Sequence, residues 1–188
     1  VTAMLDMDII GSSTGADGTV NDRQIRLFAQ GPDTSPSRQL ARDINFIGDN
    51  YVPQMEIVVQ DVDDRSGSYG DHLSFSKAGY PAVRFTEMNE EPQRRHTERD
   101  TTDDIQADYL VKATQTILVV ITALADGPLP PHNMALRDNG NGTRRLVWET
   151  VPNAASYMVL IRPVGSPVYQ QFPMKENFVD WDGFVPER

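Results

Sequence analysis

The sequence predicts an α/β domain with both sheet faces covered, followed by a small all-β module. Three observations predict it. Short apolar, β-branched runs alternate with amphipathic helical stretches over residues 1–125. A Pro/Gly segment, Asp126-Gly-Pro-Leu-Pro-Pro-His132, then interrupts the chain and is the best domain boundary. Beyond it, over residues 133–188, short strands succeed one another without helical periodicity, and Asn139-Gly140 and Asn141-Gly142 are hairpin-turn signals.

Residues 4–10 form an apolar run broken by acids, which reads as a strand leading into the loop Gly11-Ser-Ser-Thr-Gly-Ala-Asp-Gly18. Residues 23–29 alternate as a second strand. Ser35-Pro36 starts a helix: the serine caps, and proline at the first helical position loses no hydrogen bond. Leu40, Ile44 and Ile47 then share one helical face, and Gly48 is the expected stop. Residues 55–60 are a β-branched buried strand, 72–78 a short helix stopped by Gly79 and Pro81, and 82–86 the next strand. The longest helix is expected over 108–125, with Leu110, Ala113, Ile117, Val120, Ile121 and Leu124 as its apolar stripe. Its apolar run at 117–125 falls well short of the ~20 residues a membrane span needs. Past the linker, strands are expected at 134–137, 144–149, 157–162, 168–172 and 178–181.

Composition narrows function by exclusion. The 188 residues carry 17 Lys+Arg against 27 Asp+Glu, a formal charge of −10 that repels phosphate backbones and anionic membranes. With no cysteine there is no disulfide and no thiolate metal site, so any metal must take oxygen and imidazole donors. Only three histidines are available: His72, His96 and His132. The chain opens on Val1 rather than Met and reads at once as a strand, so it is expected to begin inside a longer protein.

Asp6 stands where a strand hands over to a loop, the end of an open α/β sheet at which ligands bind. Its carboxylate suits a divalent cation; the alternative is that Asp6 or Asp8 caps the loop. His96 follows the polar stretch Asn89-Glu-Glu-Pro-Gln-Arg-Arg95 and is either a ligand or a solvated loop residue. Thr97 and Asp100 lie close enough in sequence to orient its imidazole, although Asp100 is also placed to cap the following helix. In Asp71-His72 one reading makes His72 a ligand; the preferred one has Asp71 capping the short helix and holding the site, with His72 structural. Ser68, Tyr69 and Gly70 either line a pocket or form a plain turn, and His132 is expected to be solvated. The cluster Asp61-Val-Asp-Asp-Arg65 lacks calcium-loop spacing and reads as a solvated acidic turn.

Taken in order, Leu5-Asp6-Met7, Gly70-Asp71-His72-Leu-Ser-Phe75, Lys77-Ala-Gly-Tyr-Pro-Ala82 and His96-Thr97 with Asp100-Thr101 resemble the C-terminal half of M28-family metallopeptidases over residues 1–125. The resemblance implies part of a three-layer zinc-exopeptidase-like domain and a zinc-dependent aminopeptidase cleaving N-terminal peptide bonds with two zinc ions. By the motif match, Asp6 and His96 are metal ligands, one on each ion, with Tyr69, Asp71 and Asp100 around them. The family's first His, bridging Asp, Glu ligand and general-base Glu are expected N-terminal to Val1, so this fragment alone is expected to be inactive. Gly70 stands where the family has Ser. The implied substrate is a peptide or protein, and the implied location is secreted or cell-surface. Leu146 to Arg162 resembles strands B and C of a fibronectin type III-like sandwich, with Trp148 and Tyr157 as core aromatics. Five expected strands against the usual ~7 make that immunoglobulin/fibronectin-like module incomplete or atypical. The rival readings are a catalytically inactive M28-like scaffold or receptor and a related M28-like hydrolase or cyclase.

Overall fold

The computed structural model describes residues 2–60, 62, 70–91 and 93–182. They form two compact units: one of residues 1–127 with 163–168, the other of residues 128–162 with the chain from 169 onward.

The first unit is built on a four-stranded mixed sheet of β1 (Met4–Met7), β2 (Gln24–Ala29), β3 (Glu56–Val59) and β4 (Ala82–Glu87), in the spatial order β1-β4-β2-β3. β1 runs parallel to β4, β4 antiparallel to β2, and β2 parallel to β3. Side chains alternate across a strand, so the sheet has two chemically different faces. Ile25, Leu27, Ala29, Ile57, Val83 and Phe85 occupy one face and are buried against α1 (Pro36–Tyr51) and α3 (Ala107–Asp126). The other face carries Asp6, Arg26, Arg84 and Thr86, and α2 (Asp71–Lys77) packs over β1 and β4 there. Helices therefore lie on both faces, giving three layers.

The local signals act largely as expected. Ser35 caps α1, its hydroxyl accepting from the Arg38 amide at 3.2 Å. Ser37, in the first turn, accepts the Ala82 amide at 3.0 Å and joins α1 to the start of β4. Gly79 takes φ +88° just past α2, a left-handed position that glycine occupies without strain.

Two expectations are corrected. Gly48 does not end α1, which continues to Tyr51. A Cβ on Gly48 would stand 2.6 Å from Ile57 Cδ1, so the glycine is there to let the helix approach β3. The buried edge of α3 is also rotated from the expected stripe. It comprises Tyr109, Ala113, Thr116, Ile117 and Val120, while Ile121 and Leu124 are exposed. Tyr109 joins that edge because its hydroxyl donates to the Gln24 carbonyl at 3.1 Å, which satisfies the polar end of a buried ring. By length and composition α3 could cross a membrane, yet one face of it is built into the sheet core.

In the second unit β5 (Ala135–Asp138), β6 (Arg144–Val147) and β9 (Phe178–Trp181) make one antiparallel sheet, and β7 (Tyr157–Ile161) and β8 (Gln170–Met174) another. Gly140 and Gly142, at φ +75° and +85°, supply left-handed residues of the β5–β6 turn. Aromatic pairs connect the two sheets: Trp148, just past β6, meets Tyr157 edge-on at 5.4 Å, and Phe172 meets Trp181 at 5.7 Å.

Phe85 is fully buried between β4 and both helices. Phe85→Ala is expected to lower stability by about 3–5 kcal/mol in urea denaturation, through lost burial and the cavity left behind. Val111→Ala, on the exposed side of α3, should stay within about 0.5 kcal/mol of the parent.

Candidate functional site

Asp6 is the third residue of β1, on the sheet face that α2 covers, and is 9% exposed. Its carboxylate caps α2 from outside the helix. The His72 amide donates to Oδ2 at 3.4 Å, and His72 Nδ1 stands 3.5 Å from the same oxygen. Burial pushes the Asp6 carboxyl upward, but the facing His72 side chain and amide, with Arg84 behind, outweigh it and hold the group below its ordinary value. Asp6 is thus an ionised, positioned oxygen donor at neutral pH. His72 itself has no solvent exposure, and neither ring nitrogen completes a hydrogen bond.

The sequence led to the expectation that Asp71 caps α2, and the structure corrects that. Gly70 is the N-cap of α2 and makes no side-chain cap bond, while Asp71 is exposed in the first turn. Oδ2 of Asp6 receives the amide of His72, the next residue. Gly70 has a steric reason. A Cβ there would lie 2.7 Å from His72 Nδ1, 2.9 Å from its Cε1 and 3.0 Å from Arg84 Cδ, so the buried imidazole excludes any side chain at 70.

Beside Asp6 lies a charged network that the sequence reading missed. Arg84 faces Asp6 in the β1/β4 register and is fully buried. Its Nε donates to the Asp8 carbonyl and its Nη2 reaches Glu90 Oε2 at 3.2 Å. Glu90 also takes Arg26 Nη2 at 2.7 Å on Oε1 and is paired with Arg95 on Oε2. A period-2 reading of Ala82-Val-Arg-Phe-Thr-Glu87 was the available signal, because it puts Arg84 and Thr86 together on the face opposite Val83 and Phe85.

At the end of β4, Glu87 is 4% exposed and accepts the Ser12 amide on Oε2 at 2.8 Å. Burial, reinforced by the neighbouring Glu90 charge, raises its carboxyl to about 7; the Ser12 amide, Arg95 and Arg26 oppose that rise without cancelling it. The loop after β1 is clamped here from both sides, since the Glu87 amide donates to Ile9 and the Gln106 amide to Gly11.

His96 lies on the loop after β4, exposed, with φ 59°. A non-glycine residue in that left-handed region is strained and must be held by its surroundings. Its neighbours supply the hold: Arg94 pairs with Glu91 at 2.8 Å and with Asp104, and Arg95 pairs with Glu90. The Thr97 hydroxyl donates to the Arg94 carbonyl at 2.7 Å, so it braces the loop. Asp100 is exposed and caps no helix: the turn Thr102–Asp104 is preceded by Thr101, and α3 by Gln106, neither with a side-chain cap bond. Tyr69 and Ser68 lie outside the described residues, as do Asp61, Asp63, Asp64 and Arg65 of the acidic cluster. His132 is exposed.

Zinc is held by sets of three or four nitrogen and oxygen donors. Among the described residues no group of three His, Asp or Glu could hold a metal ion. Asp6, ionised and fixed at a strand end, fits one place in such a set; the described donors fit a share of a zinc site and do not complete one.

Gly70→Ala should destabilise the protein by about 1–3 kcal/mol, since the added methyl meets a ring that cannot move. In a double-mutant cycle with His72→Ala the two losses should sum to more than the double variant shows. Glu87 titrates higher folded, at about 7, than its ordinary 4.5. The folded state therefore keeps a proton that the unfolded chain has released, and stability falls as pH rises from about 4.5 to about 7. Glu87→Gln should flatten that slope and gain about 1–2 kcal/mol at pH 8, measured as urea midpoints across the range.

The profile described as peptidase family M28 matches residues 1–121. A "Probable zinc metalloprotease" of Leptosphaeria maculans is 34% identical, over 86% of this chain and 44% of its own length. Proteins of the same printed name from Pyrenophora tritici-repentis and Pyricularia oryzae are 31% and 29% identical, over 86% and 90% of this chain and 40% and 41% of theirs. The chain thus spans less than half the length of these relatives. No solved structure gives a match. With the family profile running unbroken from β1 through most of α3, the chain belongs to peptidase family M28.

Proposed function

We propose that this chain is the C-terminal part of the catalytic domain of a zinc-dependent aminopeptidase, acting on peptides or proteins with a free N-terminus. Asp6 and His96 each hold one of two zinc ions, and residues N-terminal to Val1 provide the other ligands and the general-base glutamate. The observation that carries this reading is Asp6: a carboxylate kept ionised at the carboxyl end of a strand, one oxygen gripped by the amide that opens α2. Zinc bound there would supply an activated water and polarise the scissile carbonyl. The chain's own part is to fix donors. The α2 amide orients Asp6, and the ion pairs of Arg94 and Arg95 fix the backbone on either side of His96.

Residues 1–125 form the peptidase part in this reading, 126–132 the linker and 133–188 a fibronectin type III-like accessory module. That assignment of the module is supported by its two antiparallel sheets and by Trp148 set against Tyr157. Tyr69, Asp71 and Asp100 support the metal site or its pocket in this reading, and the whole protein is exported.

The test uses the full-length protein loaded with zinc and two chromogenic substrates, leucine p-nitroanilide and its N-acetylated form. The free amine should be required for cleavage, and Asp6→Asn and His96→Ala should each lower kcat/KM by at least about a hundredfold while reducing bound zinc. Equal cleavage of both substrates would point to another M28-type hydrolase. No cleavage of either, with no zinc retained, would make the protein a scaffold.

A further inference from the structure

We infer that Glu90 is a positioning residue that sets the spacing between Asp6 and His96, acting through Arg84 on one and Arg95 on the other. This rests on the proposed roles of those two residues as ligands.

The residues to be aligned are far apart in sequence and sit on unlike supports, one in a strand and the other on an exposed loop. A metal site tolerates little error in such a spacing, so something must tie loop to strand. Glu90 is placed to do it. Its side chain is 4% exposed, which makes a carboxylate costly unless it is paired, and among the described residues it pairs with Arg84, Arg26 and Arg95. The Oε2 leg to Arg84, at 3.2 Å, leads to β1: that guanidinium holds the Asp8 carbonyl and stands opposite Asp6 in the register. The Oε1 leg to Arg26, at 2.7 Å, anchors the carboxylate to β2, where Arg26 also donates to the Glu87 carbonyl at 3.1 and 3.0 Å. The third leg is Arg95, the residue immediately before His96. One buried carboxylate thereby connects the strand of one ligand to the loop of the other.

The conformation of His96 adds an independent argument. A left-handed histidine on an exposed loop would relax if nothing held it, and φ 59° persists where the residue before it is fixed to the sheet. Arg95 is the weakest place to cut the connection, because its side chain is 22% exposed, whereas Arg84 has no exposure at all. Removing Glu90 itself would take the shared carboxylate from Arg84, Arg26 and Arg95 at once and endanger the fold.

The experiment therefore uses full-length protein as wild type, Arg95→Ala, Arg95→Lys and His96→Ala. Zinc affinity is read by competition with a chromophoric chelator, and thermal midpoints are recorded on the same samples. Arg95→Ala should weaken one zinc by about 10–100-fold with the midpoint nearly unchanged, and Arg95→Lys should recover most of the loss. Wild-type zinc affinity in Arg95→Ala, beside a loss in His96→Ala, overturns the positioning role and leaves the ligand role of His96 standing. A loss in Arg95→Ala that lysine does not recover, or that comes with a collapsed midpoint, overturns it too. Wild-type zinc affinity in His96→Ala overturns the ligand reading itself and the inference with it.

Discussion

A guanidinium with no solvent exposure, in the middle of a four-stranded sheet, has to be neutralised within hydrogen-bonding distance or the sheet does not form. Arg84 imposes that constraint, and much of the first unit answers it. Glu90 comes back over the sheet to meet it, with the Asp8 carboxylate at 3.7 Å on its other side, and this pairing helps set where the chain goes after β4. The Asp8 carbonyl must turn inward, which fixes how the chain leaves β1. Asp6, opposite in the register, is kept ionised partly by the same charge. Arg26, from the distant β2, and Arg95, five residues further on, then share Glu90, so β2, β4 and the loop after it close around one carboxylate.

The two faces of the sheet divide the work. The face under α1 and α3 is apolar up to Glu87 at the end of β4, and burial there supplies the driving force for folding. The face under α2 holds the polar side chains, whose desolvation opposes folding and which are tolerated because each finds a partner. Two glycines mark where backbone and side chains come closest. Gly48 lets α1 descend on Ile57, and Gly70 leaves room for the His72 ring beside Asp6. Both serve close packing, yet in sequence the first looks like a helix stop and the second like a turn or pocket residue.

The second unit rests on a smaller base. Trp148 and Val159 are its buried apolar side chains among the described residues, and aromatic pairs rather than a broad aliphatic core connect its two sheets. Small modules bury a smaller share of their surface, so each such ring carries more of the stability than one in a larger domain. Arg145 shows the same economy, pairing with Asp180 at 2.6 Å while its guanidinium lies 4.2 Å from the Phe178 ring.

Local signals determined the elements. Ser35-Pro36, the β-branched run before Gln60, Gly79 with Pro81, and the Asn-Gly pairs each act through backbone chemistry that neighbours in sequence suffice to specify. The residue types and order around Asp6, Asp71-His72 and His96 likewise determined the family, which the profile and the relatives bear out. Sequence alone could not say which face of α3 would be buried, because Ile121, Leu124 and Thr116 all satisfy a helical period and only the sheet beneath chooses among them. Nor could it say that α2 would be capped by Asp6 rather than by Asp71, since the carboxylate that receives the His72 amide comes from β1, 66 residues away. The Glu90 network was hidden for the same reason. Arg84 and Arg95 flank Glu90 in sequence as unremarkable charges, and the β4–β2 pairing brings the distant Arg26 to the same carboxylate, whose burial favours pairing.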